Sequence, residues 1–288
     1  MSNNRALKFI LSSILAFVLA VDLTCLTYIG DLYFRGLNTG VLTGAIMNTN
    51  YSIELMESLY TDCESLTLPI GLPMEVVHDI FDLEDIKKDV SASVKATIDG
   101  EKYEPDTTAI RTKLLANINK YLEEEQLELS EEQQVYLEEY LTLIEDEYVD
   151  NIEMVIVVKA MPYWNSFVKI AGLAAMGMIV LAGVIIVAII MMHRWVHRAL
   201  RYITYSTIAA FLMSVCLPTV LYVSHFYERL SISPKYFYVA MVYIIDEFLL
   251  FSIRFGSFHA LISAMLIGAI YLCKKNGYKR SSRTKSRR

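Results

Sequence analysis

Apolar residues in this chain are concentrated in four long runs. The runs cover residues 9–30, 169–192, 202–223 and 248–273. A helix rises about 1.5 Å per residue, so about 20 apolar residues cross the roughly 30 Å hydrocarbon core of a bilayer. The pattern therefore predicts four transmembrane helices. The first run is too long for a signal peptide and lacks the small-residue cleavage site of one, so it is expected to remain attached.

Basic residues lie at matching ends of the four runs and predict their orientation. They occur in the N-terminal segment 1–8, in the loop 193–201 and in the C-terminal tail 274–288. Because Lys and Arg near span ends favour the cytoplasmic side, both termini and this loop are expected there. Residues 31–168 and the loop 224–247 are then expected on the outer face of the cytoplasmic membrane, which we take to be bacterial.

The segment 31–168 is acidic and has the hydrophobic periodicity of helices. Between Asp31 and Asn165 there are 28 Asp and Glu against 9 Lys and Arg, a net charge of −19, whereas the whole chain carries −6. Apolar residues recur every three or four positions, which is typical of helices with one buried face. We expect a bundle of four or five helices, with residues 31–72 as its least regular part because of Gly36, Gly40 and Gly44.

Capping residues mark several helix ends in this domain. Asp82 precedes one periodic segment and Gly100 follows it, as N-terminal caps and C-terminal stops do. Ser130 and Gln133 have the spacing of a capping box, in which each side chain bonds the backbone N–H of the other residue. The carboxylate-rich stretch 121–150 is therefore expected to contain two helix ends that meet at a turn.

Two prolines are expected to mark the membrane boundary. Pro162 is predicted to break the helix that leads into the second span, beside Tyr163 and Trp164, which are typical of an interface. Pro234 is predicted to start a separate interfacial helix within the loop 224–247, before Asp246 begins the fourth span.

Asp22 in the first span and His259 in the fourth are the candidate functional pair, because ionisable residues are costly inside a bilayer. Counted from Lys8 and Lys274, both lie about 20 Å from the inner edge at 1.5 Å per residue. We expect the two side chains to meet. Two interpretations of the pair stay open: a relay for protons or ions, or a structural polar contact.

Small residues recur at every fourth position of the fourth span: Gly256, Ala260, Ala264 and Gly268. Small side chains let a second helix approach closely. We therefore expect this span to pack against the first. The same face is a candidate contact for a protein partner or for a second copy of the chain.

The sequence contains no motif that indicates an enzyme, a metal site or a cofactor. His193 and His197 have the spacing of a zinc-protease pair, but the residue after His193 is Arg194 and not the required Glu. The carboxylates of 121–150 lack the spacing of a calcium loop. The basic tail directly follows a span, which favours contact with the lipid bilayer over nucleic acid.

Three segments, "GLPMEVVHDIFDLEDIKKDV", "IDGEKYEPDTTAIRTKLLANINKYLEE" and "LSEEQQVYLEEYLTLIEDEY", are followed by three spans and a basic tail. They resemble a group of uncharacterised four-pass membrane proteins of bacteria. The resemblance implies an all-α fold, with four transmembrane helices and a helical extracytoplasmic domain between the first and second. The order of spans is also similar to permease subunits of the FtsX and MacB type, which work with a cytoplasmic ATPase, although no motif is shared.

Two functions agree with these patterns. The first is a non-enzymatic membrane protein that senses or binds a ligand or partner through its acidic outer domain. The second is a transporter or channel component, such as a permease-like subunit, with Asp22 and His259 along the path. A single polar pair in four spans offers little material for a pore, which favours the first function.

Overall fold

The structure is all-α, as the sequence predicts. The computed structural model describes residues 3–36, 39–153 and 155–285; helices make up 86% of it, and no described residue lies in a strand. The α-helices of the described chain are α1 (Asn3–Arg35), α2 (Thr39–Met47), α3 (Tyr51–Thr67), α4 (Leu83–Asp99), α5 (Thr108–Glu124), α6 (Glu131–Ile152), α7 (Val155–Met192), α8 (Val196–Ser224) and α9 (Lys235–Lys285). Short 3-10 turns lie at Leu68–Ile70, Met74–Val77 and Phe226–Arg229.

These helices form two compact units. The first, named here the apolar unit, contains α1, α8 and most of α7 and α9: described residues 3–36, 166–229 and 246–285. The second, named the acidic unit, contains α2 to α6 with the first turns of α7 and α9: described residues 39–153, 155–165 and 230–245.

Four helical stretches are long and apolar enough to cross a membrane: Ala6–Arg35, Glu131–Met192, Val196–Ser224 and Lys235–Lys275. Many side chains exposed on these stretches are large and apolar, for example Phe17, Leu173 and Leu217. Their buried positions include serines, threonines, aspartates and a histidine. A soluble protein shows the opposite arrangement, whereas an apolar exterior with a polar interior suits surrounding lipid.

Two predicted helix breaks are wrong. Pro162 lies inside α7, which continues on both sides of it. A proline removes one backbone hydrogen bond, and the rest of a helix of 38 residues maintains the conformation. Likewise, α9 runs without interruption from Lys235 through Asp246, so no separate interfacial helix precedes the fourth span. No proline occurs after Pro234, which leaves the chain free to continue as one helix.

The core of the acidic unit is made by the faces that periodicity predicts. Its buried side chains come mainly from α2 to α6 and from residues 76–81, with Val157 and Met161 from the start of α7 and Ala240 from the start of α9. Fully buried members include Leu59, Val90, Leu114 and Ile144. Burying a side chain of this kind stabilises the fold by roughly 1.5–3 kcal/mol, so the apolar stripes hold the helices together.

The predicted caps are confirmed. The Asp82 carboxylate accepts the backbone N–H groups of Glu84 at 2.8 Å and Asp85 at 3.3 Å. Gly100 ends α4 in the left-handed region, at φ 79°. At the start of α6, Ser130 Oγ accepts from Gln133 N at 3.3 Å, and Ser130 N donates to Gln133 Oε1 at 2.9 Å. The acidic stretch 121–150 therefore contains two helix ends.

Residues 31–72 are far more regular than predicted. The end of α1 and all of α2 and α3 lie in this segment. Gly44 is helical, and a Cβ built there would lie 2.7 Å from the Tyr243 hydroxyl of α9. The missing side chain therefore makes room for a close helix contact. Asn48 also donates to the Tyr243 hydroxyl, at 3.3 Å.

Candidate functional site

His259 is buried on α9, but it bonds Thr27 of α1 and not Asp22. Its Nε2 lies 2.8 Å from Thr27 Oγ1. The Thr27 hydroxyl also donates to the Leu23 carbonyl at 2.9 Å. The other ring nitrogen, Nδ1, is buried and has no hydrogen-bond partner among the described residues.

Asp22 does not form the predicted contact with His259. The Asp22 side chain is 6% exposed, and its Oδ2 has no hydrogen-bond partner in the described part of the chain. A buried polar atom without a partner costs free energy. Burial of the Asp22 carboxyl group therefore costs free energy unless water reaches it.

A second carboxylate, Asp31, lies in the same helix interface and was missed by the sequence reasoning. Asp31 is fully buried and accepts a hydrogen bond from Ser252 of α9, while its Oδ1 lacks a partner among the described residues. One turn further on, Arg35 pairs with Glu247 at 3.8 Å. The prediction ended the first span before Asp31. Asp31 follows Thr27 by four residues, a spacing that places both on one face of a helix, and this was the signal in the sequence.

Hydroxyl groups continue this interface toward α8. Ser263 of α9 and Thr207 of α8 lie 2.7 Å apart, and Ser206 donates to the Ala16 carbonyl of α1 at 2.7 Å. Together with Asp22, Thr27, Asp31, Ser252 and His259, these groups make what we call the polar interface. It is lined by three helices, α1, α8 and α9.

The small-residue stripe of α9 has one tight contact. A Cβ at Gly256 would lie 2.9 Å from both Ser214 Cβ and Val215 Cγ2, so Gly256 packs against α8. His259 and Ser252 of the same helix contact α1, as expected for the fourth span. Ala260 is half-buried, whereas Ala264 and Gly268 are exposed. An extensive contact also joins α1 and α8.

An apolar cluster borders the polar interface. It consists of Leu19, Ile185, Ile189, Ala199 and Ile203. Leu19 lies on α1 between Asp22 and the Ala16 carbonyl, which accepts from Ser206. Polar and apolar contacts therefore alternate along α1.

The acidic unit carries a separate concave site between α5, α6 and the segment after α3. The groove has a volume of about 460 Å³. Its lining is mainly apolar: Pro69, Ile70, Leu72, Ile118, Leu122, Leu129, Gln133, Tyr136, Leu137, Glu139, Tyr140 and Leu143. Ligand sites are typically apolar concavities of roughly 300–1,000 Å³ with a few polar groups. We name this site the α6 groove.

A second, shallower concavity adjoins the α6 groove. It is lined by Val135, Glu138, Glu139, Thr142 and Leu143, and shares Glu139 and Leu143 with the first. The exposed fractions of Val135, Tyr136 and Leu143 are 58%, 56% and 49%. These large apolar side chains lie off the buried stripe of α6. Their positions were the sequence signal for a binding face, and the sequence reasoning missed it.

Carboxylates around the α6 groove differ in whether they are paired. Arg111 donates to Glu145 at 2.8 Å and also pairs with Glu138, so it neutralises one edge of α6. Other exposed carboxylates have no partner among the described residues: Glu131, Glu132, Glu139 and Asp146. The groove therefore combines an apolar floor with an unneutralised negative rim.

Metal chemistry finds no support in the described residues, which hold no cluster of three or more His, Cys, Asp and Glu suited to a metal ion. His193 follows the end of α7, whereas His197 lies in α8, so the two do not share one helix face. His193 Nδ1 instead lies 2.9 Å from the Ile189 carbonyl.

The chain matches no protein-family model, no curated protein and no solved structure.

Proposed function

We propose that this chain is a non-enzymatic membrane protein that binds a partner through the α6 groove. The acidic unit lies outside the cytoplasm in this proposal, and the four spans anchor it in a bacterial cytoplasmic membrane with both termini inside. Basic residues at the span ends support this orientation. The resemblance of the quoted segments to the bacterial four-pass group is part of the same proposal.

The observation that carries the proposal is the exposed apolar lining of the groove in a strongly acidic unit. Single apolar residues on a surface are normal, but neighbouring ones in a concavity mark interaction sites. Val135, Tyr136 and Leu143 contribute nothing to the core that other residues already fill. Their exposure is explained if a partner covers them.

Site-directed photocrosslinking in the native membrane tests this function. A photoreactive residue in place of Tyr136 is expected to give an adduct of one defined mass. The same residue in place of Lys95, which is exposed on α4, serves as the matched control and is expected to give none. Leu143→Asp should abolish the adduct while circular dichroism stays unchanged. Equal labelling from both positions, or none from Tyr136, refutes the proposal.

A second candidate function is transport, and the polar interface favours it. Unpartnered atoms of Asp22, Asp31 and His259 inside a span bundle are typical of ion or proton pathways. Proteoliposomes with an internal pH-sensitive dye decide the question. Proton flux above that of empty liposomes, lost in Asp22→Asn, would favour transport, and absence of flux would favour the binding function.

A permease-like subunit would also need an ATPase. Purification of the tagged chain from native membranes therefore gives an independent test. A stoichiometric cytoplasmic ATPase in the purified sample supports the transport function, whereas its absence supports the binding function.

A further inference from the structure

We propose that the partner segment bound by the α6 groove is a cationic amphipathic helix. This inference rests on the proposed function of the groove and adds the chemical class of its occupant. It follows from the shape of the exposed α6 face and from the charge of Glu132 and Glu139, which pair with no cation among the described residues.

The exposed face of α6 has the length of a short helix. Glu132, Tyr136, Glu139 and Leu143 follow one another at spacings of four, three and four residues, so they lie on one face of α6. The two concavities flank this face and share Glu139 and Leu143. From Glu132 to Leu143 the face extends about 16 Å at 1.5 Å per residue, which matches three turns of a facing helix.

The lining provides positions for the side chains of such a helix. An amphipathic helix in a groove inserts side chains at positions i, i+3 or i+4, and i+7. Positions i and i+7 lie about 10 Å apart along the helix axis. One side of this α6 face is lined by the apolar residues Ile70, Leu129 and Leu137, and the other side by Val135. The groove is therefore long enough and apolar enough for two or three inserted side chains.

The rim of the α6 groove is negatively charged. No Lys or Arg occurs between residues 121 and 150, which contain twelve carboxylates. Two cations of α5 are already engaged, because Arg111 pairs with Glu138 and Glu145, and Lys120 lies 3.9 Å from Glu124. The carboxylates at Glu132 and Glu139 therefore meet any occupant without an internal counter-charge.

The same charge excludes other occupants. Two copies of this face brought together would place like charges opposite each other, which disfavours a symmetric dimer here. Anionic lipid headgroups are repelled for the same reason. A helix with an apolar stripe flanked by Lys and Arg satisfies both the floor and the rim.

Stapled synthetic helices of about 14 residues provide defined probes, since free peptides of that length are marginally helical. Three labelled peptides share one leucine pattern and carry Lys, Gln or Glu at the remaining positions. Binding is measured by fluorescence anisotropy to the full chain in nanodiscs of zwitterionic lipid, with empty nanodiscs as the blank. We expect the Lys helix to bind about tenfold or more tighter than the Gln helix, and the Glu helix not to bind.

Charge-reversed variants test whether the rim is responsible. Glu132→Lys with Glu139→Lys is expected to weaken binding of the Lys helix about tenfold and to strengthen binding of the Glu helix. Glu101→Lys with Asp99→Lys makes the same change of charge at exposed positions outside the groove, so it is the matched control. Added salt should weaken binding of the Lys helix alone, because salt screens the attraction between exposed charges.

Each outcome has a distinct meaning. Equal binding of the Lys and Gln helices would overturn the cationic occupant and leave the binding function of the groove in place. Equal weakening by the rim and control variants would also overturn it, because attraction to the whole acidic unit would then explain the data. Binding of none of the three helices, together with no crosslink at Tyr136, would refute both proposals.

Discussion

Replacing Tyr148 by Phe should weaken the acidic unit by removing one buried hydrogen bond. Asp89 of α4 is 7% exposed and accepts from the Tyr148 hydroxyl at 2.8 Å and from the Tyr103 hydroxyl at 2.8 Å. The Tyr148 ring stacks on Phe81 with centroids 5.7 Å apart. Phe preserves that stack, so the substitution isolates the hydroxyl.

The expected magnitude follows from burial. A hydrogen bond to a charged group contributes about 1.5–3 kcal/mol, and the Tyr148 hydroxyl lies in a side chain that is 2% exposed. Asp89 keeps the bond from Tyr103 and so is not left without a partner. Tyr103 is half-buried, and water can replace its hydroxyl. Tyr103→Phe should therefore cost less, about 0.5–1 kcal/mol.

Hydrogen exchange of the full chain in nanodiscs measures these differences. Amides of α4 and α6 should exchange roughly 10- to 100-fold faster in Tyr148→Phe than in the unchanged protein, since 1.4 kcal/mol corresponds to a factor of ten. The Tyr103→Phe variant is the matched control and should change exchange by less than about fivefold. An effect of Tyr148→Phe no larger than that of Tyr103→Phe would show that the buried bond is not a main support of this unit.

Three further predictions concern the acidic unit. Burial, with Glu147 and Asp62 nearby, raises the pKa of the Cys63 thiol to about 12. Alkylation of Cys63 at pH 8, followed by mass spectrometry, should therefore be roughly a thousandfold slower than in the unfolded chain. Comparable rates in the folded and unfolded chains would contradict this. Burial, followed by the Asp89 hydrogen bond, raises the pKa of Tyr103 to about 12 from an ordinary 10.0, so its contribution to stability is complete below pH 10 and is lost as pH rises toward 12. Thermal unfolding should show that loss, and Tyr103→Phe should reduce it; an unchanged alkaline limb in the variant speaks against it. Ser130→Ala should destabilise the start of α6 by about 1 kcal/mol, with faster amide exchange confined to its first turns, and uniform exchange along α6 would disagree.

The sequence by itself determined the all-α class, the four apolar stretches and most buried faces of the acidic unit. These features are local. A span is recognised by its length and composition, and a helix face by its period of 3.6 residues. The caps at Asp82, Gly100 and Ser130 are equally local, because each bonds groups within four residues.

Only the tertiary structure decided which residues meet. Depth in the membrane placed Asp22 and His259 at one level, but rotation of each helix about its axis directs His259 to Thr27, and Asp31 to Ser252. Rotation depends on packing against neighbouring helices, which residue spacing within one span does not encode. Composition likewise suggested an irregular segment at Gly44, which instead lies within α2 beside Tyr243 of α9.

The α6 groove shows the same division. Ile144 and Tyr148 lie on the buried stripe of α6, whereas Tyr136 and Leu143 lie on its exposed face. Those side chains form a concavity because α5 and the turn after α3 lie beside α6, and the residues of that turn are about seventy positions earlier in the chain. Local pattern therefore predicts which side of a helix is buried, whereas the shape of the remaining surface depends on which distant segments border it.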